Sequence, residues 1–271
     1  MKRLLFFGVS ILFALTASAE GVIMKAFKSQ KEYYGIEVGG PIKVFVEERT
    51  EGNIIIRGTE HILSQIEVNV EDGVLNIYFS KDFHIKNRNE VIQAEVYVPN
   101  NGKLREFTAA ACGVIEVEPQ ISAKDVEIEC AAASAIDIED IVADKLSVDV
   151  VGAAKTSLNV VCTSVDIEVT GASRVDISGK ATKAEIDIVG ASTIDAENLH
   201  CQQLEADVAG ASKAQLTADM AEIDVAGTSS ANITCTTRLN ASATGASTIR
   251  YSGDCQVNII DSAGTSSIKK R

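Results

Sequence analysis

Two kinds of residue recur in this chain at spacings that invite a chemical reading: serines and carboxylates. A serine closes each of the triplets Gly171-Ala172-Ser173, Gly190-Ala191-Ser192, Gly210-Ala211-Ser212 and Gly245-Ala246-Ser247. A nucleophilic serine needs a histidine base and an acid that orients the base. The three histidines, His61, His84 and His200, share no spacing with the triplets. A whole column of serines is also not a column of nucleophiles. Hydroxyls that satisfy backbone groups of a repeated turn are the simpler expectation.

The carboxylates are the stronger signal. Three residues before each triplet stand Glu129, Asp149, Glu168, Asp187, Asp207, Asp224 and Asp261, with Ser242 in the same series. Five before stand Glu127, Asp166, Glu185, Glu205 and Glu222. Stacked vertically, these make two acidic ladders, and like charges side by side cost energy. Calcium, which takes oxygen ligands in close array, is one way to offset that cost. The candidate ligands are Asp149, Glu168, Asp187, Asp207 and Asp224. A solvated acidic face that keeps an edge-rich protein soluble accounts for the same pattern and is preferred. The sequence has no EF-hand loop and no glycine-rich nonapeptide calcium repeat. No catalytic residue and no cofactor is implied. Lys155, Arg174 and Lys213, three after the triplets, are expected to offset charge from neighbouring strands.

Six cysteines raise the question of disulfides. Cys130 shares a column with Val150 and Val169, two before the triplet. Cys162, Cys201 and Cys255 stand nine before it, with Ala123, Ala143 and Ala181. Free cysteine behaves as a small hydrophobe in such places, so mostly unpaired thiols are expected. Cys235 and Cys255 alone fall in adjacent repeats at near-equal register, and a bridge there stays open. Metal-type Cys/His spacing is absent.

What positions these residues is the repeat itself. Looser copies of the triplet begin at Ala111, Ala132, Gly152, Gly227 and Gly264, and the nine copies are spaced 21, 20, 19, 19, 20, 17, 18 and 19 residues apart. A fixed period near twenty is the mark of a stacked architecture. Apolar or small residues sit two, four and six before the triplet, the alternation of a strand with one buried face. A coil of about 19 residues returning to the same column predicts an all-β, single-stranded parallel β-helix. Its hand is expected to be right, as in about 98% of parallel crossovers. Near the end, Asn258 and the run Val257-Asn258-Ile259-Ile260 predict a bulge or register slip. The charged terminus Lys269-Lys270-Arg271 is expected to protect the last edge.

Residues 20–103 read differently from residues 104–271. Short β-type runs cover Gly35–Val38, Ile42–Val46, Ile54–Arg57, Ile66–Val70, Val74–Phe79 and Val91–Val98. Glu71-Asp72-Gly73 is a turn inside a hairpin, and Ser80–Asn89 reads as a loop. Most aromatics fall here, as a β-rich N-terminal cap over the first open coil requires. Residues 20–271 are therefore one continuous domain, residues 20–103 its leading strands and cap, residues 104–271 its repeats.

Residues 1–19 read as a signal peptide, with basic Lys2 and Arg3, an apolar run Leu4–Leu15 and the small-residue site Ala17-Ser18-Ala19. The apolar run is too short to span a bilayer, so an integral membrane protein is not expected. Its removal takes the net charge from −13 to −15, since Lys2 and Arg3 are the charges lost. Such acidity disfavours nucleic acid as a partner. The expected address is the periplasm, the cell surface or the medium.

Tyr34-Gly35-Ile36-Glu37-Val38-Gly39-Gly40-Pro41-Ile42, Val70-Glu71-Asp72-Gly73-Val74-Leu75-Asn76-Ile77 and the repeated Gly-Ala-Ser-x-Ile/Val-Asp units carry a resemblance. From about residue 33 to 265 the chain resembles the autotransporter-adhesin head domain (GIN domain) family of exported β-helical proteins from Gram-negative bacteria. That resemblance implies adhesion by analogy and supplies no catalytic or binding residues. The leading expectation is a non-enzymatic adhesin or scaffold that binds a glycan or a surface protein through its extended faces. A polysaccharide lyase or hydrolase, a glycan-binding β-helix and an end-to-end assembling structural protein are the alternatives, and an oligomer is compatible with each.

Overall fold

The computed structural model describes residues 9–12, 22–49, 52–81, 83 and 94–271. Its strands are β1 (Val9–Leu12), β2 (Val22–Ser29), β3 (Gly35–Gly39), β4 (Ile42–Glu47), β5 (Ile54–Thr59), β6 (Ile66–Glu71), β7 (Val74–Phe79) and β8 (Ala94–Pro99), with one helical turn, α1 (Glu60–Leu63). Then follow β9 (Glu106–Ala110), β10 (Val114–Val117), β11 (Ile121–Ala132), β12 (Ala135–Gly152), β13 (Lys155–Gly171) and β14 (Arg174–Gly190). The series ends with β15 (Thr193–Val208), β16 (Lys213–Val225), β17 (Ser230–Ala243), β18 (Thr248–Ser252), β19 (Gln256–Ser262) and β20 (Ser267–Lys270). The expected signal peptide lies outside the described residues apart from the four of β1. So does most of Ser80–Asn89, along with residues 91–93.

The body is an all-β solenoid. From β11 to β17 each strand pairs in parallel with the next, and the columns read from the sequence are the observed registers. Ile128, Val148, Ile167, Ile186, Ala206, Ile223 and Ala241 stack in one file, and Cys130, Val150, Val169, Ile188, Val208, Val225 and Ala243 in another. All fourteen are buried. Alternation explains this: in a strand only every second side chain faces inward, and these positions carry β-branched or small residues. Burying a Val, Leu or Ile side chain is worth about 1.5–3 kcal/mol. A core of Val, Ile and Ala keeps every coil equally thin, so coils can stack at about 4.8 Å without gaps.

Unequal repeat lengths are absorbed at a few breaks in the ladder. Register shifts occur between Ile138 and Ile141, Asp176 and Gly179, Ala196 and Cys201, and Ala218 and Met220. The first three fall before the file of Ala143 and Ala218 and the fourth directly after it; a fifth, between Ala241 and Ser242, adjoins the triplet. One consequence corrects the cysteine columns: the file Ala143, Cys162, Ala181, Cys201, Ala218 continues into Cys235, not Cys255. The expected bulge near the C-terminus is present, and it places Ile259 rather than Ile260 opposite Ala241. Both isoleucines are more than half exposed, at 53% and 57%.

The N-terminal strands belong to the same sheet, but their order in space is not their order in the chain. β3 lies between β7 and β9, and β4 between β8 and β10, all in parallel. The coil made by β7 and β8 therefore sits outside the coil that precedes it in sequence. Beyond it the pairing turns antiparallel: β6 with β7 as the expected hairpin, β5 with β8, β2 with β5, and β1 with β2. Phe27 and Tyr33 are buried there, and Phe45 stacks on Tyr97 with ring centroids 5.1 Å apart. No helix among the described residues is long and apolar enough to cross a membrane.

Candidate functional site

The triplet is the corner where one strand face gives way to the next. Its glycine carries a positive φ, +95° at Gly171 and +104° at Gly190, a region open to glycine at little cost. The serine that follows points inward. Ser173, Ser192, Ser212, Ser229 and Ser247 are all buried. Ser212 Oγ donates to the Ala209 carbonyl at 2.8 Å, Ser192 Oγ to that of Val189 at 3.3 Å, and Ser247 Oγ to that of Val225 at 2.8 Å. In the other direction the Ser212 amide donates to Ser229 Oγ at 3.2 Å. These hydroxyls are committed to backbone groups around the turn, as the sequence implied.

The carboxylates occupy the outward positions of the strand that leads into each corner. Glu129, Asp149, Glu168, Asp187, Asp207 and Asp224 are in direct register from coil to coil, and beside them run Glu127, Ser147, Asp166, Glu185, Glu205 and Glu222. The face reaches further than the repeats suggest, because Glu106 stacks on Glu127 and Glu37 on Thr108. Partial burial, reinforced by neighbouring carboxylates, pushes the carboxyls of Glu129, Asp187 and Asp207 above their usual range. Two unit charges one coil apart repel by about 1 kcal/mol even at the dielectric constant of water.

Part of that repulsion is met by a third file that the sequence columns did not include. Asp125, Lys145, Ser164, Lys183, Gln203, Met220 and Arg238 stack along the far side of the acidic face. Lys183 Nζ lies 3.4 Å from Glu185 Oε2. Counting back seven residues from each triplet would have found this file. Arg174, by contrast, serves the strand beyond the corner: its guanidinium pairs with Asp176 and lies 3.9 Å from Asp195. A shallow groove of about 220 Å³ opens between the files, lined by Lys183, Gln203, Glu205, Met220, Glu222 and Arg238 among others. It coincides with the register shift at Met220 and offers both signs of charge.

The calcium candidates Asp149, Glu168, Asp187, Asp207 and Asp224 are thus brought into one file rather than around one point. Among the described residues no group of three or more His, Cys, Asp or Glu side chains could hold a metal ion. All six cysteines are free thiols, with Cys130, Cys162, Cys201 and Cys235 buried. Burial pushes the Cys201 thiol up to about 12. His200 Nε2 lies 3.7 Å from Asp219 Oδ1, and His200 stacks on Lys180, apart from the serine column.

Residues 32–221 match the protein-family model described as "Putative auto-transporter adhesin, head GIN domain", well over half of the chain. No curated protein matches the sequence. Among solved structures, the fold is similar to that of a "putative adhesin" from Parabacteroides distasonis, with a TM-score of 0.72 at 19% identity over 92% of this chain and 97% of that one. A "putative adhesin" from Parabacteroides merdae gives 0.72 at 16% identity over 93% and 97%. A "putative lipid binding protein" from Parabacteroides distasonis gives 0.69 at 16% identity over 93% and 98%. At such identities the likeness is one of fold.

Proposed function

The chain belongs to the auto-transporter adhesin head GIN domain family, and we propose that it is an exported, non-enzymatic adhesion or scaffold module that binds through its extended strand faces. The observation that carries this reading is the acidic face, which runs in unbroken register from Glu129 to Asp224. From β9 onward no connection between strands exceeds four residues. A one-off catalytic groove on a solenoid is ordinarily built by a long inserted loop, and a periodic face suits a long or repetitive partner. The partner class is a glycan or a basic surface protein; nucleic acid is disfavoured by the charge. The winding is right-handed by the crossover rule, and the antiparallel strands β1, β2, β5 and β6 act as the cap that protects the first coil. The signal peptide directs the protein to the periplasm, the surface or the medium.

The acidic ladder is in this reading a solvated face that steers basic partners, with calcium as the alternative occupant. A glycan and matrix-protein array probed with and without calcium tests both. Retention independent of calcium supports the proposal. Release of products from an acidic polysaccharide would replace it with the enzymatic reading. A second reading, end-to-end assembly, is favoured by the exposure of Ile259 and Ile260 on the last coil. A strictly monomeric elution profile at high concentration dismisses it.

A further inference from the structure

The last coil is the weakest part of the solenoid. β19 and β20 each have a neighbour on one side only, β17 and β18, and no position in β19 is fully buried. At the corner that leads into β19, the chain brings two thiols together. Thr234 is in register with Ser252, their hydroxyls 3.0 Å apart, and Arg238 is in register with Gln256. Cys235 and Cys255 are therefore confined to the same corner of adjacent coils. Cys235 is fully buried, while Cys255 packs partly exposed against the same core. Cys235 Sγ lies 3.3 Å from the Asp219 carbonyl oxygen and 3.1 Å from that of Arg238, whose register partner Gln256 directly follows Cys255.

We propose that Cys235 and Cys255 are a disulfide-forming pair that staples the last coil to the solenoid when the protein meets an oxidising disulfide. Cys255, the accessible partner, attacks as thiolate one sulfur of the incoming disulfide, and the other sulfur leaves as thiolate. Cys235 then attacks the Cys255 sulfur of the mixed disulfide, and its proton passes to the departing thiol. Two cysteines are oxidised, and one donor disulfide is reduced to two thiols. Burial pushes the Cys235 thiol up, so the second step is the slow one. Oxidising compartments outside the cytosol supply such donors. The loop closed by the bridge spans one whole coil, which is where a crosslink removes the most freedom from a fraying end.

The test uses the full chain, folded, freed of reductant and incubated with oxidised glutathione. Unreduced peptide mapping should find a peptide linking Cys235 to Cys255, two hydrogens lighter than the two thiol peptides. Amide exchange in β19 and β20 should slow at least about tenfold. Cys255→Ala should abolish the link. Cys235→Ala, which repeats the residue found at Ala218 in the same file, should accumulate a stable glutathione adduct on Cys255. Wild-type protein that stops at the Cys255 adduct, or forms the link only in denaturant, would overturn the proposal. The wild-type map reads the bridge directly, so a variant that fails to fold does not obscure the result.

Discussion

Gly190 stands directly on Gly171. A Cβ placed on Gly190 would lie 2.4 Å from the Gly171 carbonyl oxygen, and Gly171 has the same relation to Gly152 at 2.5 Å. The repeated glycine is thus required twice, once for its positive φ and once because backbone meets backbone from coil to coil.

Gly190→Ala should therefore cost more than conformation alone explains. Gly102 also has a positive φ, +70°, but nothing lies within 4 Å of the Cβ it lacks. Gly102→Ala should lose about 1 kcal/mol and Gly190→Ala at least about 3 kcal/mol. Paired denaturant titrations separate the two terms. Equal losses would mean that the coils separate freely at the corner.

Thr156 occupies a core file with Ile136, Val175 and Ile194. Its hydroxyl is buried with no hydrogen-bond partner among the described residues. Thr156→Val keeps the shape and removes the unsatisfied group, so stability should rise by about 1–2 kcal/mol. A rise in the denaturation midpoint at unchanged slope is the expected reading.

Ser212 Oγ donates to the Ala209 carbonyl at 2.8 Å, and the Gly190 carbonyl, 3.2 Å away, also accepts from the Ala211 amide at 2.7 Å. Ser212→Ala removes the bond to Ala209 and should destabilise the fold by about 1–2 kcal/mol. Array binding should not change, because the hydroxyl faces the interior.

The pH response follows from the raised carboxyls. Glu129, Asp187 and Asp207 hold protons more tightly when folded than when unfolded. Between their unfolded and folded values the folded state binds more protons, so stability falls as pH rises through that window. Acidification from neutral to just above the ordinary carboxylate range should raise the melting temperature, more at low salt than at high salt. Asp187→Asn should reduce this response. Melts in two salt concentrations at several pH values check it.

Period-two alternation within a strand and period-19 repetition between strands point to the same columns. That agreement made the core files, the acidic ladders and the serine corner legible before any coordinates. The order of the N-terminal coils was not legible: β7 and β8 pack outside β3 and β4 through contacts distant in sequence, and alternation specifies a face but not a neighbour. Counting from the glycine also failed where a coil is short. The 17- and 18-residue spacings near Gly227 and Gly245 moved Cys235 into the file assigned to Cys255, and the bulge at Ile260 exchanged it with Ile259. The mixed file that carries Lys145, Lys183 and Arg238 was visible in the sequence but lies one step beyond the columns that carry the carboxylates.

The most direct measurement of the binding account compares the wild-type chain with a variant in which Asp187, Asp207 and Asp224 are changed to Asn. Both are run on one glycan and matrix-protein array, with the eluate assayed for released saccharides. Retention that is lost in the variant, with no product released by either protein, is the predicted result. Retention unchanged by neutralising the face, or saccharide release by the wild-type protein, would contradict it.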